Sequence, residues 1–453
     1  MEQTTLKWNE AILLFDAYTQ DSQDLHTSFQ LAGFACPAVV IEDDGFLPED
    51  VLSVYGFFLG DFKAARGGDA RPRYFNEIPV PDYWEISGTN SNGKIQDLSR
   101  ERGKIFYAQP SHRRLVKIVD WYDEQGTVRS SDHYNRYGAL YARTIFNAKG
   151  QKVNKSYFSA DGREAIVENF VTGDIILNEG ETVQIFHSKT DFVLHFFVRA
   201  RLKQKRIFFN SLSTPFFVSN RLKSQVKRDI LFWQEPPRDD IPGNMQLIFN
   251  GEASRTVTVI VQKEKSYAKL LAHGARKDML HKLGFLYPFA KENTHKPQAL
   301  ICTNSDHIEH CREIAESLPQ MHFHIVSLTE MSSKLTGMDA CSNISLYPGV
   351  KPAVLEELFS ACDYYFDINH GPEIVSAVRK AFLHNHLIFA FRETAHNTDF
   401  VAEGHIFPAA GWQKLCKAAQ EAMDTPQVLE EMLQSQTQAA LLESVESYRK
   451  LIL

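Results

Sequence analysis

The sequence predicts an α/β protein of two doubly wound units, the first of them interrupted by an antiparallel meander. Three observations carry that prediction. Apolar runs of strand length alternate with helix-period segments toward both ends of the chain, the rhythm of a parallel sheet with crossover helices. Between about residue 70 and Lys205 the rhythm changes to short alternating runs rich in Tyr, Phe, Val and Ile, broken by glycines. The length, 453 residues, exceeds what one core usually serves and fits two or three domains.

The opening stretch reads strand, helix, strand: AILLFDAYT, then SQDLHTSFQLAGFA, then CPAVVIEDD. Three turns of the meander look alike. WYDEQG, IFNAKG and YFSADG each place a polar residue three positions before a glycine, Gly126, Gly150 or Gly162. A hairpin loop needs that glycine for the positive φ that a side chain opposes. The α/β rhythm returns with RIFFNSLSTPFFVS, DILFWQEPP and TVTVIVQK, so the first unit is discontinuous. QEPPRDDIPG, from Gln234 to Gly243, contains three prolines and cannot be the interior of an element. It reads as a loop at a strand end, where open α/β sheets bind ligands.

A second unit begins near Pro297. QALICTNS, MHFHIVSL, NISLYPGV, DYYFDIN and HLIFAF read as strands; HIEHCREIAESLP, KPAVLEELFSAC and EIVSAVRKAFLHN read as helices; the tail from Gly411 is helical. The expected domains are 1–70 with 206–296, the inserted meander 71–205, and 297–453 with closing helices. Within DINHGPE the plain expectation is a strand-to-helix turn, with Asp367 or Asn369 capping the next helix and Pro372 in its first turn.

Composition excludes several classes. Hydrophobic residues make up 43% and charged residues 23%, which is ordinary for a globular chain and argues against extended disorder. Cys36, Cys302, Cys311, Cys341, Cys362 and Cys416 show no C-x-x-C spacing and sit mostly in apolar stretches, so buried reduced thiols are expected. MEQTTLKWNEAILLF has no cationic n-region, and no run reaches the roughly 18 apolar residues of a membrane span. A soluble, cytoplasmic chain is expected. The net charge is −7, yet no acid occurs between Asp191 and Asp229, where Arg199, Arg201, Lys203, Lys205, Arg206, Arg221, Lys223, Lys227 and Arg228 all fall. That window is either a solvated flank around buried strands or a face for an anionic membrane or an acidic partner. No nucleic-acid module accompanies it, and no G-x-S-x-G, Walker A or G-x-G-x-x-G fingerprint occurs. The pairs His322/His324 and His384/His386 lack a third ligand at recognisable spacing, so no metal is expected.

The series LYPGV, LEELFSACDYYFDINHGPE, AVRKAF, HLIFAF and FVAEGHIFP resembles the donor half of a retaining glycosyltransferase of the GT-B fold. RIFFNSLSTPFFVS, DILFWQEPP and PQALICTNS, set around the meander, resemble the accessory Sec glycosyltransferase-stabilising subunits of GtfB type, and the likeness runs nearly end to end. The resemblance implies a GT-B-like pair of Rossmann-type domains with an inserted antiparallel β-meander domain. Active members of the wider class carry two glutamates on the loop and helix that correspond to His370 through Ala381. One register puts Pro372 and Lys380 at those positions, the other Glu373 and Ala381, so neither supplies both acids. Such carboxylates accept hydrogen bonds worth about 1.5–3 kcal/mol each, so losing both removes roughly two to four decades of donor affinity. Ser305, Asp306 and His307 stand where an Arg and a Lys usually meet the pyrophosphate, and QDSQDL stands where active relatives carry a glycine pair.

The resemblance therefore implies a catalytically silent subunit without a cofactor. It would pair with a catalytic GtfA-type subunit as an O-GlcNAc transferase, using UDP-GlcNAc to modify Ser and Thr of a serine-rich repeat adhesin before accessory Sec export. An interdomain cleft without donor chemistry would hold the acceptor polypeptide, with Asp367, Asn369, His370, Glu373, Lys380, Gln234 and Glu235 as candidate contacts. The alternative is an active retaining UDP-sugar transferase with an altered donor site, using Lys380 or Arg379 on phosphate and His370 near the reacting carbon. A third reading is a carbohydrate-binding protein whose Trp121, Tyr122, Phe146, Tyr157 and Phe158 stack on sugars, set against their use as cross-strand packing. The meander, with its sheet edges, is the expected oligomer contact.

Overall fold

The computed structural model describes residues 10–224, 226 and 228–452. Its contacts divide the chain into two units, one reaching to Leu283 and including the residues from Tyr448 onward, the other Gly284–Ser447.

The first unit holds a seven-stranded parallel sheet. In spatial order its strands are Leu280–Lys282, Thr256–Val261, Asp229–Trp233, Arg206–Phe209, Ala11–Ala17, Ala38–Glu42 and Val51–Ser53. Ile12 through Phe15 and Ile207 through Phe209 are wholly buried, the unbroken apolar run of a strand covered on both faces. The helix Gln20–Leu31 follows the first strand, and Thr19 caps it by accepting the Ser22 N–H at 3.3 Å.

Inserted in this unit is a ten-stranded antiparallel sheet, from Glu85–Gly88 to Thr182–Phe186, in which each strand pairs with its neighbours in sequence. Gly126, Gly150 and Gly162 take φ of +79°, +73° and +84°, and their N–H groups donate back to the carbonyls of Asp123, Asn147 and Ser159. A fourth turn of the same kind, Asn135 to Gly138, escapes the sequence pattern because a tyrosine occupies its centre. One continuous core joins Ile12, Leu14, Ile207 and Phe209 of the parallel sheet to Tyr141, Tyr157, Ile166 and Leu177 of the meander. Tyr55 stacks on Tyr157 at 4.5 Å across that seam. The other part of the meander closes its own small core around Ile95, Ile105, Val116 and Val119.

The run FVLHFFV, expected among the meander's short strands, is instead part of the helix Lys189–Arg199. A continuous apolar run reads equally as strand or helix. The cap decides it: Ser188 Oγ accepts the Asp191 N–H at 3.1 Å, after which Phe192, Val193, Phe196 and Phe197 form one buried face.

The second unit holds a six-stranded parallel sheet in the order Ile344–Tyr347, His322–Ser327, Gln298–Thr303, Tyr364–Asp367, Leu387–Phe391 and Ile406–Phe407. The strand order reverses between Gln298–Thr303 and Tyr364–Asp367, which makes their carboxyl ends a topological switch point. Two of the expected helices start late. Cys311–Ser317 begins after His310 at φ +49°, and Ala377–Leu383 begins after Val375 and Ser376 at φ +51° and +50°. The helical tail forms as expected, but its end from Tyr448 belongs with the first unit, where Tyr448 packs edge-on to Phe29 at 6.0 Å. All six cysteines are free, and all but Cys341 are buried. Among the described residues no helix is long and apolar enough to cross a membrane.

Candidate functional site

The two loops at the switch point of the second unit are stitched together by backbone. Ile308 and Asn369 form an antiparallel bridge; the Glu309 N–H donates to the Ile368 carbonyl at 2.8 Å and the His370 N–H to the His307 carbonyl at 2.9 Å. This sets three side chains together. Glu309 Oε2 lies 2.7 Å from His370 Nε2 and 3.3 Å from His307 Nε2, and the two imidazoles stack at 4.0 Å, 14° from parallel. The His370 hydrogen bond holds the Glu309 carboxyl below the usual carboxylate range. Asn369, 1% exposed, has a side-chain oxygen with no hydrogen-bond partner among the described residues.

Asp367 ends its strand wholly buried. His396, which the sequence does not flag, closes over it: Nδ1 donates to Asp367 Oδ1 at 2.5 Å and the His396 N–H donates to Oδ2 at 2.7 Å. Nε2 donates to the Gly371 carbonyl at 2.7 Å. Both ring nitrogens thus donate, the arrangement of an imidazolium, and the Asp367 hydrogen bond raises the His396 pKa to about 9 against the opposing effect of burial.

Neither Asp367 nor Asn369 caps the following helix, and Pro372 lies outside it. The left-handed pair Val375–Ser376 delays the helix to Ala377, and Glu373 supplies the cap by accepting the Val378 N–H at 2.9 Å. Burial pushes the Glu373 carboxyl up, and the nearby Asp367 charge adds to it. Lys380 is paired with Glu356, its Nζ 4.7 Å above the Phe359 ring. Ala381 is wholly buried. In neither register, therefore, does a pair of free carboxylates face a ligand.

Gln234 and Glu235 belong to the first unit, apart from the other five candidates. Gln234 Nε2 donates to the Asp21 carbonyl at 3.0 Å and to Gln262 Oε1 at 2.7 Å, while its Oε1 accepts from Asn210 Nδ2 at 3.1 Å. It is a brace between the ends of neighbouring strands. Burial pushes the Glu235 carboxyl up, opposed by Arg238.

The basic window is largely engaged. Arg199 pairs with Glu179 at 2.7 Å and Arg221 with Asp191 at 2.5 Å. Arg206 donates to the carbonyls of Arg228 and Ile452 and lies 4.8 Å over the Phe208 ring. The carbonyls of Lys203 and Lys205 accept from Arg255, which forms a buried ion pair with Asp229 at 2.8 Å. Lys205 is half-buried, while Arg201, Lys203, Lys223 and Arg228 are exposed. Lys227 lies outside the described residues.

The paired histidines are also engaged. His322 meets Ser345, His324 bridges Tyr347 and Gln298, His384 donates to the Lys380 carbonyl and His386 to the Phe359 carbonyl. Of the meander aromatics, Trp121 donates its indole N–H to Asp132 at 3.0 Å and Tyr157 lies in the core. Tyr122, Phe146 and Phe158 are half-buried. Their use is packing, as cross-strand aromatics usually are.

Four family models match along the chain: the GtfB N-terminal domain at residues 12–58, the GtfB middle domain at 84–187, the GtfB third domain at 189–272 and the GftB/GlyA-F C-terminal domain at 299–436. A Streptococcus gordonii protein described as the UDP-N-acetylglucosamine–peptide N-acetylglucosaminyltransferase stabilizing protein GtfB is 42% identical, covering 94% of each chain. The protein of that description from Limosilactobacillus reuteri is 35% identical over 97% of this chain and 98% of its own. A chain of the crystal structure of a GtfA/B complex bound to UDP and GlcNAc superposes with a TM-score of 0.90 at 42% identity, covering 97% of this chain and 98% of that one. The paired parallel sheets, the inserted antiparallel sheet and this end-to-end likeness place the chain in the GtfB family of peptide N-acetylglucosaminyltransferase stabilizing proteins.

Proposed function

We propose that this chain is the non-catalytic subunit of a UDP-GlcNAc-dependent peptide O-GlcNAc transferase. It stabilises a catalytic GtfA-type partner and holds the Ser/Thr-rich acceptor, a serine-rich repeat adhesin awaiting accessory Sec export from the cytoplasm. The observation that carries the reading is the state of the donor-like loop. Asp367 is closed by His396, Glu373 is spent on a helix amide and Lys380 on Glu356. Groups satisfied within the fold have little left to offer a sugar nucleotide, since a new hydrogen bond must first break an old one. The partly exposed polar groups, His370 in the second unit and Glu235 in the first, are the proposed acceptor contacts.

The proposed partner contact is the outer edge of the meander. The edge strand Thr182–Phe186 presents Val183 and Ile185, 62% and 58% exposed, and an unpaired apolar edge invites covering. Removing residues 71–205 is no clean test of this, because it strips Tyr157, Ile166, Phe192 and Phe196 from the core shared with the parallel sheet. Contact with the inner face of the cell membrane through Arg201, Lys203, Lys223 and Arg228 is a separate proposal. Liposome sedimentation that weakens with salt supports it, and salt-independent or absent sedimentation removes it.

The direct test is transfer of GlcNAc to a Ser/Thr-rich peptide. The isolated chain should transfer none, and its addition should raise the yield and thermal stability of the catalytic subunit. Turnover by the isolated chain would overturn the proposal.

A further inference from the structure

The cluster of His307, Glu309 and His370 is not used by the reading above and stands independently of it. We propose that these three side chains form a site for a divalent transition-metal ion of the zinc class, with a fourth position open to water or a ligand. Among the described residues this is the one place where three such side chains bring their ligand atoms together, all within 4.8 Å of one another.

The donor set suits the ion. Two imidazoles and one carboxylate, with an open position, are a ligand combination that zinc accepts. A tetrahedral ion with bonds of about 2.1 Å spaces its ligands roughly 3.4 Å apart. Glu309 Oε2 and His307 Nε2 stand 3.3 Å apart already. Glu309 Oε2 and His370 Nε2, 2.7 Å apart across a hydrogen bond, need to separate by a fraction of an ångström as the shared proton leaves. Metal binding here therefore releases a proton.

The scaffold is prepared for it. His307 and Glu309 lie on one loop and His370 on another, 61 residues away in sequence. The Ile308–Asn369 bridge and its two flanking backbone hydrogen bonds fix the separation of those loops before any ion arrives. The site lies at the switch point of the second sheet, the ligand-binding position of open α/β sheets. His310 adds a further imidazole 3.5 Å from Glu309 Oε1, and its ring stacks on Trp412 at 5.8 Å, which puts a fluorescent reporter beside the site. A bound ion would lock the two loops to each other.

Zn2+ alone, and Co2+ as its spectroscopic substitute, are titrated into the metal-stripped full chain. The expected result is one equivalent bound, visible d–d bands of four-coordinate Co2+, release of protons and a change in Trp412 emission. His307→Ala, at an exposed position, and Glu309→Gln should each weaken binding by more than about tenfold, whereas the double variant His322→Ala/His324→Ala should leave it unchanged. Circular dichroism identical to that of the parent shows that each variant folds. Absence of stoichiometric binding, or binding that survives both His307→Ala and Glu309→Gln, would overturn the proposal.

Discussion

Replacing His396 by glutamine removes a cation from a carboxylate that is 0% exposed, and the cost should depend on pH. The folded protein holds the His396 pKa at about 9 against an ordinary 6.5, through the hydrogen bond to Asp367. A group whose pKa rises on folding stabilises the fold fully below its unfolded pKa and loses that contribution as pH climbs through the folded value. The stabilisation is therefore complete below about pH 6.5 and gone above about pH 9. At 1.36 kcal/mol per pKa unit it amounts to about 3 kcal/mol at most, and the 12% exposure of the imidazole calls for only modest discounting. The assay is denaturant unfolding followed through Trp412, the one tryptophan of the second unit, for parent and His396→Gln between pH 6 and pH 10. The difference in unfolding free energy should shrink by about 2–3 kcal/mol across that range. A difference that stays flat, or an NMR titration placing His396 below about pH 7.5, would refute the charged pair.

Arg255→Met leaves Asp229 buried without its cation and should cost about 3–5 kcal/mol in denaturant unfolding of the first unit; adding Asp229→Leu should recover much of that loss. Gly150→Ala, at φ +73° with open space around its Cβ, should cost about 1 kcal/mol. Gly138→Ala shares the left-handed φ, and its Cβ also meets the Arg71 carbonyl oxygen, so its Tm should fall at least about twice as far. Val183→Lys with Ile185→Lys should leave the fold intact and weaken recovery of the complex with a GtfA-type partner by about tenfold or more, read by gel filtration.

What the sequence discloses follows what is local in it. The strand-helix-strand openings of both parallel sheets and the turns at Gly126, Gly150 and Gly162 depend on residues within a few positions of each other, and all were legible. The helix Lys189–Arg199 was not, because its apolar face is continuous and only the Ser188–Asp191 cap distinguishes it. The donor-like loop was located from DINHGPE, but its wiring was not. Asp367 finds His396 29 residues later and His370 finds Glu309 61 residues earlier, and no spacing rule links such pairs. The basic window misled for the same reason: Glu179 and Asp191, which neutralise Arg199 and Arg221, lie at or outside its boundary. The left-handed turn at Val375–Ser376 had no signal either, since neither residue favours positive φ.

The central claim, that this chain carries a glycosyltransferase scaffold without a working donor site, is tested most directly by calorimetric titration of UDP-GlcNAc into the isolated chain. The account predicts no detectable binding, because Asp367, Glu373 and Lys380 are already committed to His396, Val378 and Glu356. Micromolar binding would contradict it and return donor chemistry to this subunit.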